Sequence, residues 1–174
     1  MTNLKSIALT LILQLVFLIS FGQTVEEQIN SIITKVNAVD TVSSYKIIQL
    51  KNQEFLGNAP KGGAKLTGNF QNDRLIKSAS TIVTSYGIQL IEFYYSNNTL
   101  LFAHVKESDF KNSKTDDTTD TEVVLNGYYY YDSNKQIISR RITGHGYWEK
   151  TNDIMLRFYS DGYAKMLYKK YNAS

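Results

Sequence analysis

The spacing of apolar and polar residues predicts an amphipathic helix near the start of the chain. Apolar side chains recur there at helical intervals, one turn apart, at Val25, Ile29, Ile32, Ile33 and Val36. Thr24 stands immediately before this segment and Glu27 follows three residues later, which is the arrangement of an N-terminal capping box. We therefore expect an N-terminal helix that buries this apolar stripe.

After Leu66 the pattern changes to short strand-like runs that are separated by polar turns. The segments NFQNDRLIK, FYYSNNTLLF and YYYDSNKQII each place an aromatic residue before an Asn/Asp/Ser turn and an aliphatic pair after it. Another turn is indicated at Tyr86-Gly87. Consecutive hairpins of this kind predict an antiparallel meander of about six strands between Leu66 and Thr143.

Two segments fit either a helix or a strand. Residues 45–50 suit a strand or a short second helix. In residues 152–171, the Asp161-Gly162 pair between two apolar runs is a strong hairpin signal. The apolar residues of the same segment also follow helical spacing, and Lys169-Lys170 suits the C-terminus of a helix.

The four consecutive tyrosines at positions 128–131 raise the question of a binding surface. Because side chains alternate between the two faces of a strand, Tyr129 and Tyr131 fall on a mostly apolar face and are predicted to be core. Tyr128 and Tyr130 fall on the other face, and the same alternation places Tyr94 on the more polar face of its own strand. These three rings are the candidates for binding a partner. The alternative is that they only stabilise the sheet through cross-strand pairs.

Composition excludes several classes of function. The 174 residues include no cysteine, so disulfides, thiol nucleophiles and thiolate metal sites are excluded. The formal net charge is only +3 and the basic residues are scattered, which gives no footprint for a nucleic acid. Because the chain has no cysteine, the fold must be stabilised by core packing and not by disulfides.

Residues 1–22 have the pattern of a secretory signal peptide. Lys5 precedes an apolar run over residues 7–21, and small residues stand at Ser20 and Gly22. The run is about 15 residues long, whereas a retained membrane anchor, the alternative, needs roughly 20. The pattern predicts cleavage between Gly22 and Gln23. It predicts export of residues 23–174, as a single α+β domain, to the periplasm or the extracellular space.

The order GGAKLTGNF…RLIK…YGIQLIEFYYSNNTLLF…GYYYYDSNKQIISR resembles a group of small exported bacterial proteins of unassigned function. The similarity covers residues 26–171. It implies an N-terminal helix, a meander with Tyr-Tyr pairs and Asn turns, and a closing helix. The chain departs from that pattern at Asp161-Gly162. The group provides no catalytic residues and no cofactor to carry over.

An acidic segment is a candidate calcium site. Asp116, Thr118, Asp120 and Glu122 alternate along the chain, so their oxygens could converge on an ion. The glycine and the bidentate glutamate of an EF-hand do not stand at the required positions. A solvated loop is the favoured interpretation, and we predict no metal site.

The candidates for hydrolytic chemistry are few. Glu92 and Glu107 lie in predicted strands and could form a carboxylate pair across a cleft, and His145 stands in a turn beside Tyr147 and Trp148. The chain has no GxSxG nucleophile motif. A small hydrolase is therefore the least favoured alternative, and no catalytic residue is assigned.

Together these patterns predict an α+β fold in which the helices pack on one sheet face and leave the other open. The expected function is that of a non-enzymatic binding or interaction module of the cell envelope. Its partner would be an envelope protein or a glycan, bound through Tyr94, Tyr128 and Tyr130. A structural component of an envelope assembly is the alternative. The sequence leaves the oligomeric state open.

Overall fold

The computed structural model describes residues 24–111 and 121–174. The elements in chain order are helix α1 (Val25–Thr41), strands β1 (Lys46–Lys51), β2 (Ala64–Gln71), β3 (Arg74–Val83), β4 (Gly87–Ser96), β5 (Thr99–Phe110), β6 (Thr121–Tyr131) and β7 (Ile137–Gly144), and helix α2 (Asp153–Tyr171). The seven strands form one antiparallel sheet whose spatial order follows the sequence. The α+β class and the meander are confirmed, and β1 shows that residues 45–50 belong mostly to a strand.

The capping box begins α1 as predicted. The Thr24 hydroxyl accepts a hydrogen bond from the backbone N–H of Glu27 at 3.2 Å. The Glu27 carboxylate in turn accepts one from the backbone N–H of Thr24 at 2.9 Å. Two N–H groups that have no partner within the helix are thereby satisfied.

Two of the hairpin turns are made by asparagine and aspartate in the left-handed conformation. Asn72 and Asp73 have φ of 48° and 60°, and Asn97 and Asn98 have φ of 50° and 62°. Positive φ at both central residues is typical of type I′ turns, whose twist matches that of the flanking strands. These pairs fix the β2–β3 and β4–β5 registers.

Residues 153–171 form a helix and not a hairpin. Asn152 caps α2 by accepting a hydrogen bond from the backbone N–H of Met155 at 2.9 Å. The helix buries Leu156, Ser160, Tyr163 and Leu167 on the sheet, at the spacing of one helical face. Burial of this stripe outweighs the local turn preference of Asp161-Gly162, because most helical stability in proteins comes from tertiary packing.

The main core lies between α2 and one face of the sheet. Leu66, Phe93 and Leu167 are fully buried there. Tyr129 and Tyr131 belong to the same core and are 1% and 0% exposed, so the alternation argument for these two rings is confirmed.

Helix α1 packs on the opposite face of the sheet. Its buried residue Ile32 forms a second apolar cluster with Tyr94 and Phe102. The expectation that both helices share one face is therefore wrong. Alternation sends Phe93 to one side and Tyr94 to the other, so each face carries large rings that need cover.

Several predicted features lie outside the described residues, namely the signal segment of residues 1–22 and the loop residues Asp116, Thr118 and Asp120. Glu122 is exposed in β6. Within residues 24–111 and 121–174, the side chains form no cluster of three or more acidic or histidine groups suited to a metal ion. In the same described ranges, no helix has the length and apolar character needed to cross a membrane.

Candidate functional site

A cleft of about 480 Å³ opens between α2, the end of β3, the start of β4 and the short 3₁₀ turn Tyr147–Lys150. Seven of its lining residues are aromatic, namely Phe55, Tyr86, Tyr147, Trp148, Phe158, Tyr159 and Tyr163. Leu56, Ile82, Gln89, Gly162 and Met166 complete the described lining, and none of these side chains carries a formal charge. We call this site the aromatic cleft.

Three of the rings in the aromatic cleft face solvent. Phe158 is 75% exposed, Tyr147 is 69% exposed and Tyr86 is 56% exposed. Single exposed apolar residues are ordinary on a protein surface, but contiguous exposed rings around a concavity are typical of a binding site. The three rings border the same cleft.

The inner wall of the aromatic cleft is made of rings packed edge to face. The ring of Trp148 lies 5.3 Å from that of Tyr159 at an interplanar angle of 68°. Phe55 and Tyr163 are likewise 5.3 Å apart, at 75°. These separations are favourable for aromatic pairs, so the rings of the wall support one another.

Glu107 fixes the part of the wall that carries Tyr147 and Trp148. This carboxylate is only 5% exposed. It accepts hydrogen bonds from the backbone N–H of Tyr147 at 2.9 Å and from that of Trp148 at 2.6 Å. A Cβ at Gly146 would lie 2.5 Å from the carboxylate, so the preceding position has no room for a side chain.

A row of polar side chains crosses the opposite face of the sheet, below the C-terminal end of α1. Lys77 Nζ lies 2.8 Å from carboxylate oxygens of both Asp40 and Glu92. The other oxygen of Glu92 lies 2.9 Å from His104 Nδ1. His104 Nε2 is in turn 2.7 Å from the side-chain oxygen of Asn126.

The charges in this row stabilise one another. Burial by itself raises the pKa of Glu92, but hydrogen bonds from His104 and Lys77 outweigh it and lower the pKa to about 2. Burial likewise lowers the pKa of Lys77, whereas its hydrogen bonds to Asp40 and Glu92 bring about a net rise. Both groups are ionised at neutral pH.

The geometry separates the candidate residues for hydrolysis. Glu92 pairs in register with His104, and Glu107 lies three residues beyond His104 on β5, so the two carboxylates point to opposite faces. They cannot flank one bond. The side chain of His145 is 89% exposed and lies 3.2 Å from Glu149. The least favoured alternative, a hydrolase with a Glu92–Glu107 carboxylate pair, is therefore wrong.

Tyr94, Tyr128 and Tyr130 share one face, as the alternation predicts. All three rings pack around Phe102, at centroid distances of 5.5, 6.3 and 5.1 Å. This face is not open, because Ile32 of α1 belongs to the same cluster. Tyr94 is only 3% exposed, and its hydroxyl donates to the Asp40 carboxylate at 2.9 Å. Tyr128 and Tyr130 are half-buried.

The aromatic cleft is not among the sites predicted from the sequence. One signal in the sequence is that the apolar residues of α2 form two stripes along the helix. Leu156, Tyr163 and Leu167 supply the stripe that is buried on the sheet. Ile154 and Phe158 lie one turn apart on a second stripe and are 69% and 75% exposed. A helix that covers one sheet needs only one stripe, so the second marks a surface with another use.

Comparison of the chain with protein-family models, with curated proteins and with solved structures finds no match. The resemblance to a group of exported bacterial proteins stays a prediction. The functional argument is carried by the geometry of the aromatic cleft.

Proposed function

We propose that this protein is a non-enzymatic binding module that takes an uncharged, largely apolar and ring-bearing ligand in the aromatic cleft. The observation that carries this proposal is the exposure of Phe158, Tyr147 and Tyr86 around one cleft of about 480 Å³. Ligand sites are concave, mostly apolar and largely preformed. The aromatic cleft is concave, and its described lining is mostly apolar.

The class of ligand follows from the chemistry of the lining. A ring inserted between the exposed aromatic side chains removes apolar surface from water, and each well-placed aromatic pair adds about 0.5–1.5 kcal/mol beyond burial. A carboxylate or phosphate would lose its hydration without meeting a cation among the described lining residues. Neutral ligands are therefore favoured over charged analogues of the same shape.

The tryptophan supplies a direct readout. Trp148 is the one tryptophan of the chain and lines the aromatic cleft, so we expect a bound ligand to change its fluorescence emission. A ligand at about 100 times its dissociation constant stabilises the fold by about 2.7 kcal/mol. For a chain of this size that corresponds to a rise in Tm of roughly 5–10 °C.

The test is a thermal-shift screen of neutral ring compounds, each matched to a charged analogue of similar size. The proposal predicts a rise in Tm and a change in Trp148 emission with the neutral members. Equal stabilisation by neutral and charged members, or a rise in Tm without a change in emission, would place the ligand elsewhere.

We further propose that the module acts outside the cytoplasm, in the cell envelope. Support for this comes from the signal-like pattern of residues 1–22. The N-terminal residue of the protein recovered from the producing cells tests it. Export with cleavage predicts a chain that starts at Gln23, whereas cytoplasmic recovery of a chain that still starts at Met1 would contradict it.

A further inference from the structure

Helix α1 buries fewer residues on the sheet than α2 does. Ile32 is its one buried residue, and Ile29, Val36 and Val39 are half-buried. Helix α2, of similar length, buries four residues on the sheet. The burial energy that retains α1 is correspondingly small, since hydrophobic stabilisation scales with the apolar area removed from water.

The surface below α1 is rich in rings. Phe102 lies at its centre and packs against Tyr94 and Tyr130 at centroid distances of 5.5 and 5.1 Å. Leu101 and Ile138 extend the same cluster. Aromatic residues of this kind dominate the binding energy of protein interfaces, and a groove lined with them suits the apolar stripe of an amphipathic helix.

The same surface carries a positive charge that pairs with an acidic residue near the C-terminal end of α1. Lys77, with its side chain 16% exposed, meets the Asp40 carboxylate at 2.8 Å near the C-terminal end of α1. The hydroxyl of Tyr94 donates to the same carboxylate at 2.9 Å. Glu92 already pairs with Lys77 at 2.8 Å, so an acidic residue at this position of a bound helix gives the half-buried cation a second carboxylate and accepts a hydrogen bond from the Tyr94 hydroxyl.

The connection from α1 to the sheet does not hinder release. Residues 42–44 are exposed, and α1 is joined by them to Tyr45 and then to the edge strand β1. The Tyr45 hydroxyl donates to the backbone carbonyl of Val39 at 3.0 Å, a contact that lies at the helix end itself. Release of α1 therefore requires the loss of these end contacts and of the contacts of Ile32, Val36 and Val39 with the sheet.

We propose that this surface, made of Tyr94, Leu101, Phe102, Tyr130, Ile138 and Lys77, is a helix-docking site that α1 covers in the free protein. Its occupant is an amphipathic helix of a partner protein. That helix carries aliphatic residues at the spacing of Ile32, Val36 and Val39, followed by an acidic residue at the position of Asp40. The site is separate from the aromatic cleft, which lies on the other face of the sheet.

The test uses a fluorescent peptide with the sequence of residues 24–42, added to the full chain and followed by anisotropy. In the wild-type chain, α1 competes as an intramolecular ligand at an effective concentration near the millimolar range, so binding is weak. In an Asp40→Asn chain the internal helix loses its ionic contact while the peptide keeps Asp40. We expect about tenfold tighter binding to this variant, the equivalent of one charge-assisted hydrogen bond.

Matched controls separate docking from non-specific adsorption. A peptide with Ile32→Asp keeps the helix and its charged end but loses the apolar contact, and it must not bind. The Lys77→Gln chain must bind the parent peptide no more tightly than it binds the peptide that carries Asp40→Asn. Equal affinity of all peptides for all chains would overturn the proposal. Concentration-dependent dimerisation of the Asp40→Asn chain, with no peptide binding, would assign the surface to a second copy and overturn it too.

Hydrogen exchange gives a second, independent measurement on the unmodified protein. The amides of α1 are expected to exchange through local opening, well before those of β4 and β5. If the α1 amides exchange only with global unfolding, the surface is never uncovered and the proposal fails.

Discussion

The carboxylate of Glu107 accepts a hydrogen bond of 2.6 Å from the backbone N–H of Trp148, which lies 41 residues further along the chain. Together with the bond to the N–H of Tyr147, this contact ties the 3₁₀ turn Tyr147–Lys150 to β5. A buried charge thus positions two rings of the aromatic cleft. Glu107 thereby shapes one wall of the aromatic cleft.

Replacement of Glu107 by Gln should loosen this wall. The amide offers one acceptor oxygen in place of two and turns an NH₂ group toward a backbone N–H. We expect the free energy of unfolding to fall by about 1–3 kcal/mol, measured by urea denaturation, with a red shift of Trp148 emission. Glu122→Gln, at an exposed position in β6, is the matched control and should change stability by no more than about 0.5 kcal/mol. Equal effects of the two variants would contradict the assigned role.

Gly162 lies in the interior of α2 with open space where a side chain would be, since a Cβ there meets no atom within 4 Å. Gly162→Ala should therefore raise the free energy of unfolding by roughly 0.5–1 kcal/mol, the helix propensity difference between the two residues.

Gly68→Ala is the comparison for Gly162→Ala. A Cβ at Gly68 would lie 2.8 Å from a methyl carbon of Leu167 in the core. This variant should lose about 1–3 kcal/mol through overpacking. Urea denaturation of both variants measures the two changes in the free energy of unfolding. A loss of stability in Gly162→Ala would show that the space over α2 is already filled.

The loss of folding stability at acidic pH should depend on Glu92. Because hydrogen bonds from His104 and Lys77 outweigh the effect of burial, its pKa is lowered from 4.5 to about 2 in the folded protein. Its contribution is therefore complete above about pH 4.5 and is lost as the pH falls toward 2. Urea midpoints measured across this range should decline more steeply in the wild type than in Glu92→Gln. Parallel profiles would mean that Glu92 gains nothing from its partners on folding.

Phe158 and Leu167 lie on the same helix but should respond differently to truncation. Leu167 is fully buried, and Leu167→Ala should cost about 2–5 kcal/mol of stability. Phe158 is 75% exposed, so Phe158→Ala should change stability by no more than about 0.5 kcal/mol while weakening ligand binding in the aromatic cleft. Denaturation and fluorescence titration of the two variants separate these roles, and a large stability loss in Phe158→Ala would assign Phe158 to the core.

Local chemistry made some elements predictable. The Thr24–Glu27 capping box and the asparagine turns at Asn97-Asn98 act within a few residues, and both are found where the sequence places them. The alternation rule likewise assigns Tyr129 and Tyr131 to the core. Such features depend on neighbouring residues only.

Other parts of the structure depend on distant contacts. The spacing within residues 153–171 fits a helix or a hairpin, and the closing helix that the resemblance implies is confirmed by the burial of Leu156 and Leu167 on the sheet. The bond between Glu107 and Trp148 and the packing of Ile32 on Phe102 also join remote segments. No local pattern encodes which sheet face a helix will cover, so the aromatic cleft and the covered tyrosine face could not be placed from sequence alone.

The most direct measurement is a fluorescence titration of the protein with N-phenyl-1-naphthylamine, a neutral ring probe, in wild type, Gly162→Leu and Gly57→Leu. Both glycines have open space where a side chain would begin, but only Gly162 lines the aromatic cleft. The account predicts saturable binding to the wild type and to Gly57→Leu, with quenching or shift of Trp148 emission, and loss of binding in Gly162→Leu. Undiminished binding in Gly162→Leu would contradict the aromatic cleft as the ligand site.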